Sequence, residues 1–223
     1  MTDNFRSSGA GDSPGLGTQQ HKSVGDIAGV YADEAEALDR WRWLDRLFAG
    51  RYRKRQFGDA EGQVLDVACG IGANFRYLPQ PVDLVGIDIS PEMLTRAEAE
   101  LARLDINGAL YSMDAETLAF SDNSFDTVIS SFSTCTFPDP VKALREMRRV
   151  CRGDGRILLL EHGQSDIGPV ARLLDWRADA HYEKSGCRLT QRPLQVVSSV
   201  GVTVVDVRTE FLDIITCVEA VPE

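Results

Sequence analysis

The run Val64-Leu65-Asp66-Val67-Ala68-Cys69-Gly70-Ile71-Gly72-Ala73-Asn74 constrains the fold of this chain more than any other. It reads as a buried strand that enters a turn with two glycines, and a helix is expected next, over 73–79. A second apolar run, Leu84-Val85-Gly86-Ile87, ends on Asp88. Strand, glycine turn, helix and a carboxylate closing the next strand follow the order of a parallel α/β sheet. Such a sheet holds an adenosine-containing cofactor at the C-terminal ends of its strands.

The residue types narrow the cofactor. Gly70 and Gly72 permit a sharp turn and a close approach of backbone to ligand, and the turn presents free amides. A dinucleotide fingerprint would place a third glycine where Phe75 stands, which disfavours a pyrophosphate. Asp66, inside the strand, would repel a phosphate. It suits a cationic ligand with an amino group, such as S-adenosylmethionine. Asp88 is placed to accept from ribose hydroxyls. A short third strand, Ala109-Leu110-Tyr111, leads to Asp114, which can accept from an adenine amino group, while the Ala115 amide can donate to a ring nitrogen. Phe125–Ser131 reads as a fourth, buried strand whose polar end, Ser130-Ser131, lies where ligands gather.

The segments VLDVACGIGANF, GIDISPEML, DAETLAFSDNSFDTVISS and ALREMRRVCRGDGRILLLEH resemble the class I S-adenosylmethionine methyltransferases of the type-11 family. That family includes the ubiquinone and menaquinone C-methyltransferases. GANFRYLP, Glu161-His162 and Gly186-Cys187-Arg188-Leu189-Thr190 are closer to a branch of thiol methyltransferases and proteins labelled phospholipid methyltransferases. The resemblance covers roughly residues 60 to 200. It implies a three-layer Rossmann-like sandwich whose seven-stranded, mostly parallel sheet runs in the order 3-2-1-4-5-7-6, with an antiparallel last strand. One departure is Ala68, where the family often has glycine. Residue reading and resemblance together put the cofactor against Tyr31, Asp66, Ala68, Gly70, Gly72, Asn74, Asp88, Ile89, Met93, Asp114, Ala115 and Ser130.

At 223 residues the chain suits one α/β domain with an N-terminal extension. Residues 1–22, rich in Gly, Ser, Asp and Gln, are expected to be disordered. From an N-cap at Ser23, apolar positions at Ile27, Val30, Tyr31, Ala35, Leu38, Trp41, Leu44, Leu47 and Phe48 mark a helical extension over 23–58. It ends in the basic stretch Arg51–Arg55, read first as a solvated helix end. The methyltransferase domain follows over 59–223, with helices near 91–103 and 139–152 and strands near 63–67, 83–88, 109–112, 126–131 and 155–161. A substrate-lid insert is expected at about 163–192. Leu194–Val200 reads as a helix, and Val202–Val207 with Ile214–Val221 as an antiparallel pair.

The net charge of −10 disfavours nonspecific nucleic-acid binding, and residues 132–138 lack the Asn/Asp-Pro-Pro-aromatic element of enzymes that methylate amide or base nitrogens. With no transmembrane-length apolar run and no signal-peptide core, a cytoplasmic protein is expected, peripheral membrane contact remaining open. The five cysteines are scattered without C-x-x-C spacing, so no metal site is expected. Cys69, Cys151 and Cys217 read as small core residues. Cys187 lacks a paired base in sequence and is read as structural. For the acceptor, Ser131, Phe132, Phe137 and Tyr182 are candidate substrate contacts, the two Phe side chains forming an apolar wall. His162 and His181 are candidate catalytic residues, as base or substrate anchor; Glu161 and His162 could equally hydrogen-bond local backbone. The reading favours methyl transfer to a small lipophilic acceptor, a thiol above others. C-methylation of a quinone precursor, N-methylation of a phospholipid headgroup and a cofactor-binding regulator without turnover are the alternatives.

Overall fold

Alternating apolar residues on the central strands face both sides of one sheet, and this builds the three layers. In the computed structural model, which describes residues 22–223, β1 (Gln63–Val67) sends Leu65 and Val67 to one face and Val64 to the other. β4 (Phe125–Ser131) divides Val128 from Ile129, and β5 (Cys151–His162) divides Ile157 and Leu159 from Leu158 and Leu160. A period of two with both faces apolar is the pattern of a strand covered by helices on each side. With β2 (Asp83–Asp88), β3 (Gly108–Ser112), β6 (Val202–Glu210) and β7 (Ile215–Pro222), the sheet has seven strands in the order β3-β2-β1-β4-β5-β7-β6. The β1, β2, β3, β4 and β5 pairings are parallel, and β7 runs antiparallel to both neighbours. The expected fold class and strand order are therefore present.

Local chemistry sets the helices. Ser90 caps α3 (Pro91–Leu104) by accepting from the Met93 amide at 3.3 Å, with Pro91 at its first position. Asp139 caps α4 (Pro140–Val150), accepting from Lys142 N–H at 3.0 Å. No helix forms over 73–79. The chain turns through Gly70 and Gly72 and makes a single 3-10 turn at Phe75–Tyr77. Pro79 drives Leu78 into an extended conformation and stops the turn. Gly72 has φ +74°, and a Cβ there would sit 2.6 Å from the buried Phe75 ring. Phe75 thus replaces the expected third glycine by filling the space under the turn.

The N-terminal extension is two helices. Ser23 and Asp26 form a capping box at the start of α1 (Val24–Arg40), and Trp41 breaks the path before α2 (Arg42–Phe57). The break leaves Trp41, Trp43, Leu47 and Phe48 exposed and turns Tyr52, Arg53, Gln56 and Phe57 inward. The basic stretch is accordingly not wholly a solvated helix end: Arg53 is buried. Asp39 and Arg42 tie α1 and α2 to α3 through Arg96 and the buried Glu100. The 163–192 insert folds as α5 (Gly168–Ser185), which has no buried residue. A short helix, α6 (Pro193–Val197), follows where a longer one was expected. Among the described residues, no helix is long and apolar enough to cross a membrane. The expected tail lies, apart from Lys22, outside the described residues.

Candidate active site

The C-terminal ends of β1, β2 and β4 open into a cavity of about 380 Å³, roofed by α1 and the end of α5. It is large enough for a cofactor-sized ligand. Asp88, the last residue of β2, lines it. One carboxylate oxygen accepts from Gly70 N–H at 2.8 Å and the other from Ser90 N–H at 2.9 Å, which fixes the group beside the glycine turn. Burial raises its pKa, and the Ser90 and Gly70 amides oppose the shift. Gly70, at φ +53°, has no atom within 4 Å of where a Cβ would stand, so the wall is recessed there. Asp114 turns its carboxylate back onto Glu116 N–H at 2.9 Å and leaves Ala115 at the cavity wall.

Behind this wall lies a buried polar relay. Asn74 donates to both carboxylate oxygens of Asp66 at 3.1 Å and accepts from Arg53 Nε and Ser131 Oγ, each at 2.9 Å. Arg53 is held in turn by both oxygens of Asp45, at 2.7 and 2.8 Å. Asp66 is fully buried, and burial pushes its carboxyl up to about 7 against the Asn74 hydrogen bond and the Arg53 charge. Arg53 and Asp45 reach the cavity. Sequence reading missed both, because α2 supplies them and nothing in its basic run marks Arg53 as the residue that turns inward.

Of the cofactor positions read from sequence, Tyr31, Ala68, Gly70, Asp88, Ile89, Met93, Asp114 and Ala115 line the cavity. Asp66, Gly72, Asn74 and Ser130 lie behind it, being held by the relay, by Phe75 packing and, for Ser130, by a 2.9 Å bond to the Val67 carbonyl. Ala68 has φ +55°, in the left-handed region that costs an L-residue about 1–2 kcal/mol, which explains why glycine suits this position. Phe132, at the end of β4, is also left-handed, at φ +52°. Such strain gathers where backbone is shaped around a ligand.

The other end of the cavity belongs to sulfur and aromatic groups. Ser131, Phe132, Phe137, His162, His181 and Cys187 line it. Tyr182 does not; its hydroxyl accepts from Lys22 N–H at 3.0 Å and its ring lies under Arg188, because it points away from the side of α5 that carries His181 and Ser185. Cys187 follows the left-handed Gly186 that ends α5. Arg188 then fastens the segment to the loop after β4, donating to the Phe137 carbonyl at 2.7 Å. That loop is held from beneath by the fully buried Glu161, whose carboxylate accepts from the Ser133 and Thr134 amides at 3.2 and 3.3 Å. Glu161 is thus a backbone anchor, and burial pushes it up to about 7.

His162 does something different. Its Nε2 is 3.2 Å from the Cys135 sulfur and 3.2 Å from the Cys187 sulfur, and the two sulfurs are 3.3 Å apart. Cys187 therefore has the paired base that sequence did not reveal. Hydrogen bonds from Cys135 and His162, with a further one from His181, lower its pKa to about 4, while Cys135 is pushed up. Burial opposes the effect on His162, but the neighbouring Cys187 and Glu161 hold the imidazole above its ordinary value. The cluster was invisible because Cys135 and Cys187 come from two separate connections and His162 from the end of β5.

A nucleoside-sized cavity at the switch point of this sheet, with a carboxylate ending β2, is the architecture of class I S-adenosylmethionine-dependent methyltransferases, and the chain carries a methyltransferase domain. Residues 65–159 match the family described as Methyltransferase domain. The chain is 34% identical over 135 residues to the phosphatidylethanolamine N-methyltransferase of Cereibacter sphaeroides, covering 55% of this chain and 66% of that protein. It is 33% identical over 147 residues to a ubiquinone/menaquinone biosynthesis C-methyltransferase of Bdellovibrio bacteriovorus, covering 65% and 60% respectively. The chain thus spans about two thirds or less of the length of these relatives. An S-adenosylmethionine-dependent methyltransferase of Aquifex aeolicus shares the fold, with a TM-score of 0.62 at 20% identity over 85% of this chain and 97% of the other.

The residues present fit S-adenosylmethionine: the cavity is lined by a carboxylate fixed by the Gly70 and Ser90 amides, by a wall recessed at Gly70, and by the aromatic rings of Phe132 and Phe137.

Proposed function

We propose that the protein transfers a methyl group from S-adenosylmethionine to a small lipophilic acceptor, and that the acceptor atom is a thiol sulfur. The observation that carries this reading is one continuous cavity with Asp88 and the glycine turn at one end and Phe132, Phe137, His162 and Cys187 at the other. Asp88 accepts the ribose hydroxyls, Asp114 and the Ala115 amide meet the adenine edge, and Gly70 lets backbone lie against the amino acid portion. Asp66 acts through Asn74, giving the relay the negative charge that complements a ligand ammonium. Bound there, the cofactor supplies an electrophilic methyl carbon and a good leaving group. The chain aligns the acceptor and keeps water out, which is most of what an in-line displacement requires.

Two features favour a thiol. Phe132 and Phe137 give the acceptor end an apolar wall, and a thiol with a reference pKa of about 8.5 needs little help to become a nucleophile. His162 Nε2 already faces two sulfurs, so it is engaged as an anchor at that end and not poised as a free base for a quinol or amine. The relatives named for phospholipid N-methylation and quinone C-methylation define the competing acceptors. Isotope-labelled cofactor offered to alkyl and aryl thiols, quinols, amines and phosphatidylethanolamine vesicles should label the thiols most. Preferential labelling of the vesicles or the quinols would replace the thiol reading with one of those.

A further inference from the structure

We propose that Cys135, His162 and Cys187 form a binding site for a thiophilic d10 cation of the Zn²⁺ class, set into the wall of the cavity. One ligand atom from each residue lies within 4.8 Å of the other two, and the three measured separations are nearly equal at 3.2, 3.2 and 3.3 Å. A near-equilateral triangle of two sulfurs and one imidazole nitrogen is what a single shared ion demands. Metal–sulfur and metal–nitrogen bonds of about 2.3 and about 2.0–2.1 Å at tetrahedral angles put the sulfurs ~3.8 Å apart and each sulfur ~3.5 Å from the nitrogen. The triangle need open by only a few tenths of an ångström to accept the ion.

The ligands are fixed as metal ligands usually are. His162 ends β5. Cys135 lies on the loop that Glu161 grips through the Ser133 and Thr134 amides. Cys187 leaves α5 at the left-handed Gly186, and Arg188 bolts it to the Cys135 carbonyl through its own amide at 3.0 Å. Both cysteines are free, their sulfurs 3.3 Å apart and not bonded to each other, so both are available as ligands. Thiolate and imidazole together select Zn²⁺-like ions over Mg²⁺ or Ca²⁺.

His162 and Cys187 are themselves cavity wall, so a bound ion has the cavity on one side. Three protein ligands with an open fourth position is the arrangement of a reactive, not a purely structural, zinc site. The next step rests on the thiol reading above. An acceptor thiol binds the ion as its thiolate and releases its proton to solvent. The acceptor sulfur then forms a bond to the methyl carbon as that carbon's bond to the sulfonium breaks, and the electron pair stays on the cofactor's sulfur, leaving it a neutral thioether.

The test uses the full chain, reduced and stripped with chelator under anaerobic conditions, and titrated with Co²⁺ as a visible probe. The site predicts stoichiometric binding with thiolate-to-cobalt charge-transfer absorption and tetrahedral bands, both lost on adding Zn²⁺. Cys135→Ser and Cys187→Ser should each remove about half of the charge-transfer intensity. No Co²⁺ or Zn²⁺ binding by the reduced wild-type chain, or binding without thiolate absorption, overturns the site; this measurement needs no variant to fold. If the ion binds and an added alkyl thiol alters the cobalt spectrum, both proposals stand together. If the ion binds but thiols are neither bound nor methylated, the site stands and the thiol reading falls. If thiols are methylated by protein that takes up no metal, the reverse holds.

Discussion

The two ends of the cavity are built by different means. The cofactor end is made by short contiguous stretches: the turn after β1, Asp88 to Ser90 after β2, and Asp114 to Ala115 after β3. Each presents backbone amides, the second and third add one carboxylate each, and each is fixed by bonds within a few residues or to the next strand. The acceptor end is assembled from α1, the loop after β4, the end of β5 and the last turn of α5. Its polar groups hold one another across long sequence separations, as in the Cys135–His162–Cys187 triangle. A cofactor common to many enzymes can be met by local backbone geometry, whereas an acceptor must be met by side chains from parts of the chain free to vary.

The first way to break this comparison is to spoil the local geometry. Gly72→Ala puts a methyl 2.6 Å from the Phe75 ring at a left-handed residue. It should destabilise the fold by about 2–5 kcal/mol, summing left-handed strain and overpacking. Urea denaturation should show the midpoint fall, and an unchanged midpoint would mean that Phe75 moves aside freely.

A smaller effect should separate the ends. Asp88→Ala should weaken S-adenosylhomocysteine binding by about 1.5–3 kcal/mol for each ribose hydrogen bond lost, while Phe137→Ala should leave that affinity within twofold and raise the acceptor KM. Calorimetry and steady-state kinetics check the pair. Equal losses of cofactor affinity in both variants would show that the two ends are not distinct.

The sequence made the cofactor end legible because its signals are local. The period-two pattern on β1, β4 and β5, the Gly70 and Gly72 turn and the carboxylate of Asp88 can all be read within a dozen residues. What could not be read depends on tertiary packing. The helix expected over 73–79 fails because Phe75 and Pro79 impose a tighter path, and the helical extension breaks at Trp41 although its apolar spacing continues. Arg53 looks like its exposed neighbours Arg51, Lys54 and Arg55 until α2 is rotated against the sheet. The acceptor-end cluster was the least legible, since Cys135, His162 and Cys187 carry no mutual spacing. Tyr182 shows the same difficulty in reverse: it adjoins His181 in sequence, yet it faces away from the cavity.

The relay behind the cofactor end gives cofactor affinity a pH dependence of its own. Asp66, pushed up to about 7 by burial, is ionised above that value and neutral below it. If its charge complements the cofactor ammonium, affinity should weaken as pH falls through 7, by at most roughly tenfold per pH unit for one proton. Binding below pH 7 should release a proton, seen as a buffer-dependent heat. Asp66→Asn should flatten the profile; an unchanged profile would remove Asp66 from cofactor binding.

The smallest expected effect is at Ala68. Relief of its left-handed strain, less the backbone entropy of glycine, leaves Ala68→Gly about 0–1 kcal/mol more stable. A clear loss of stability on thermal denaturation would show that the Ala68 methyl packs favourably despite its conformation.

The division of the cavity is tested most directly by a crystal structure of the protein with S-adenosylhomocysteine. Ribose hydroxyls on the Asp88 carboxylate, adenine beside Ala115 and the thioether sulfur directed toward Phe132 and His162 would match the account. A nucleoside seated among Phe137, His181 and Cys187, with its amino acid end toward Ala115, would contradict it.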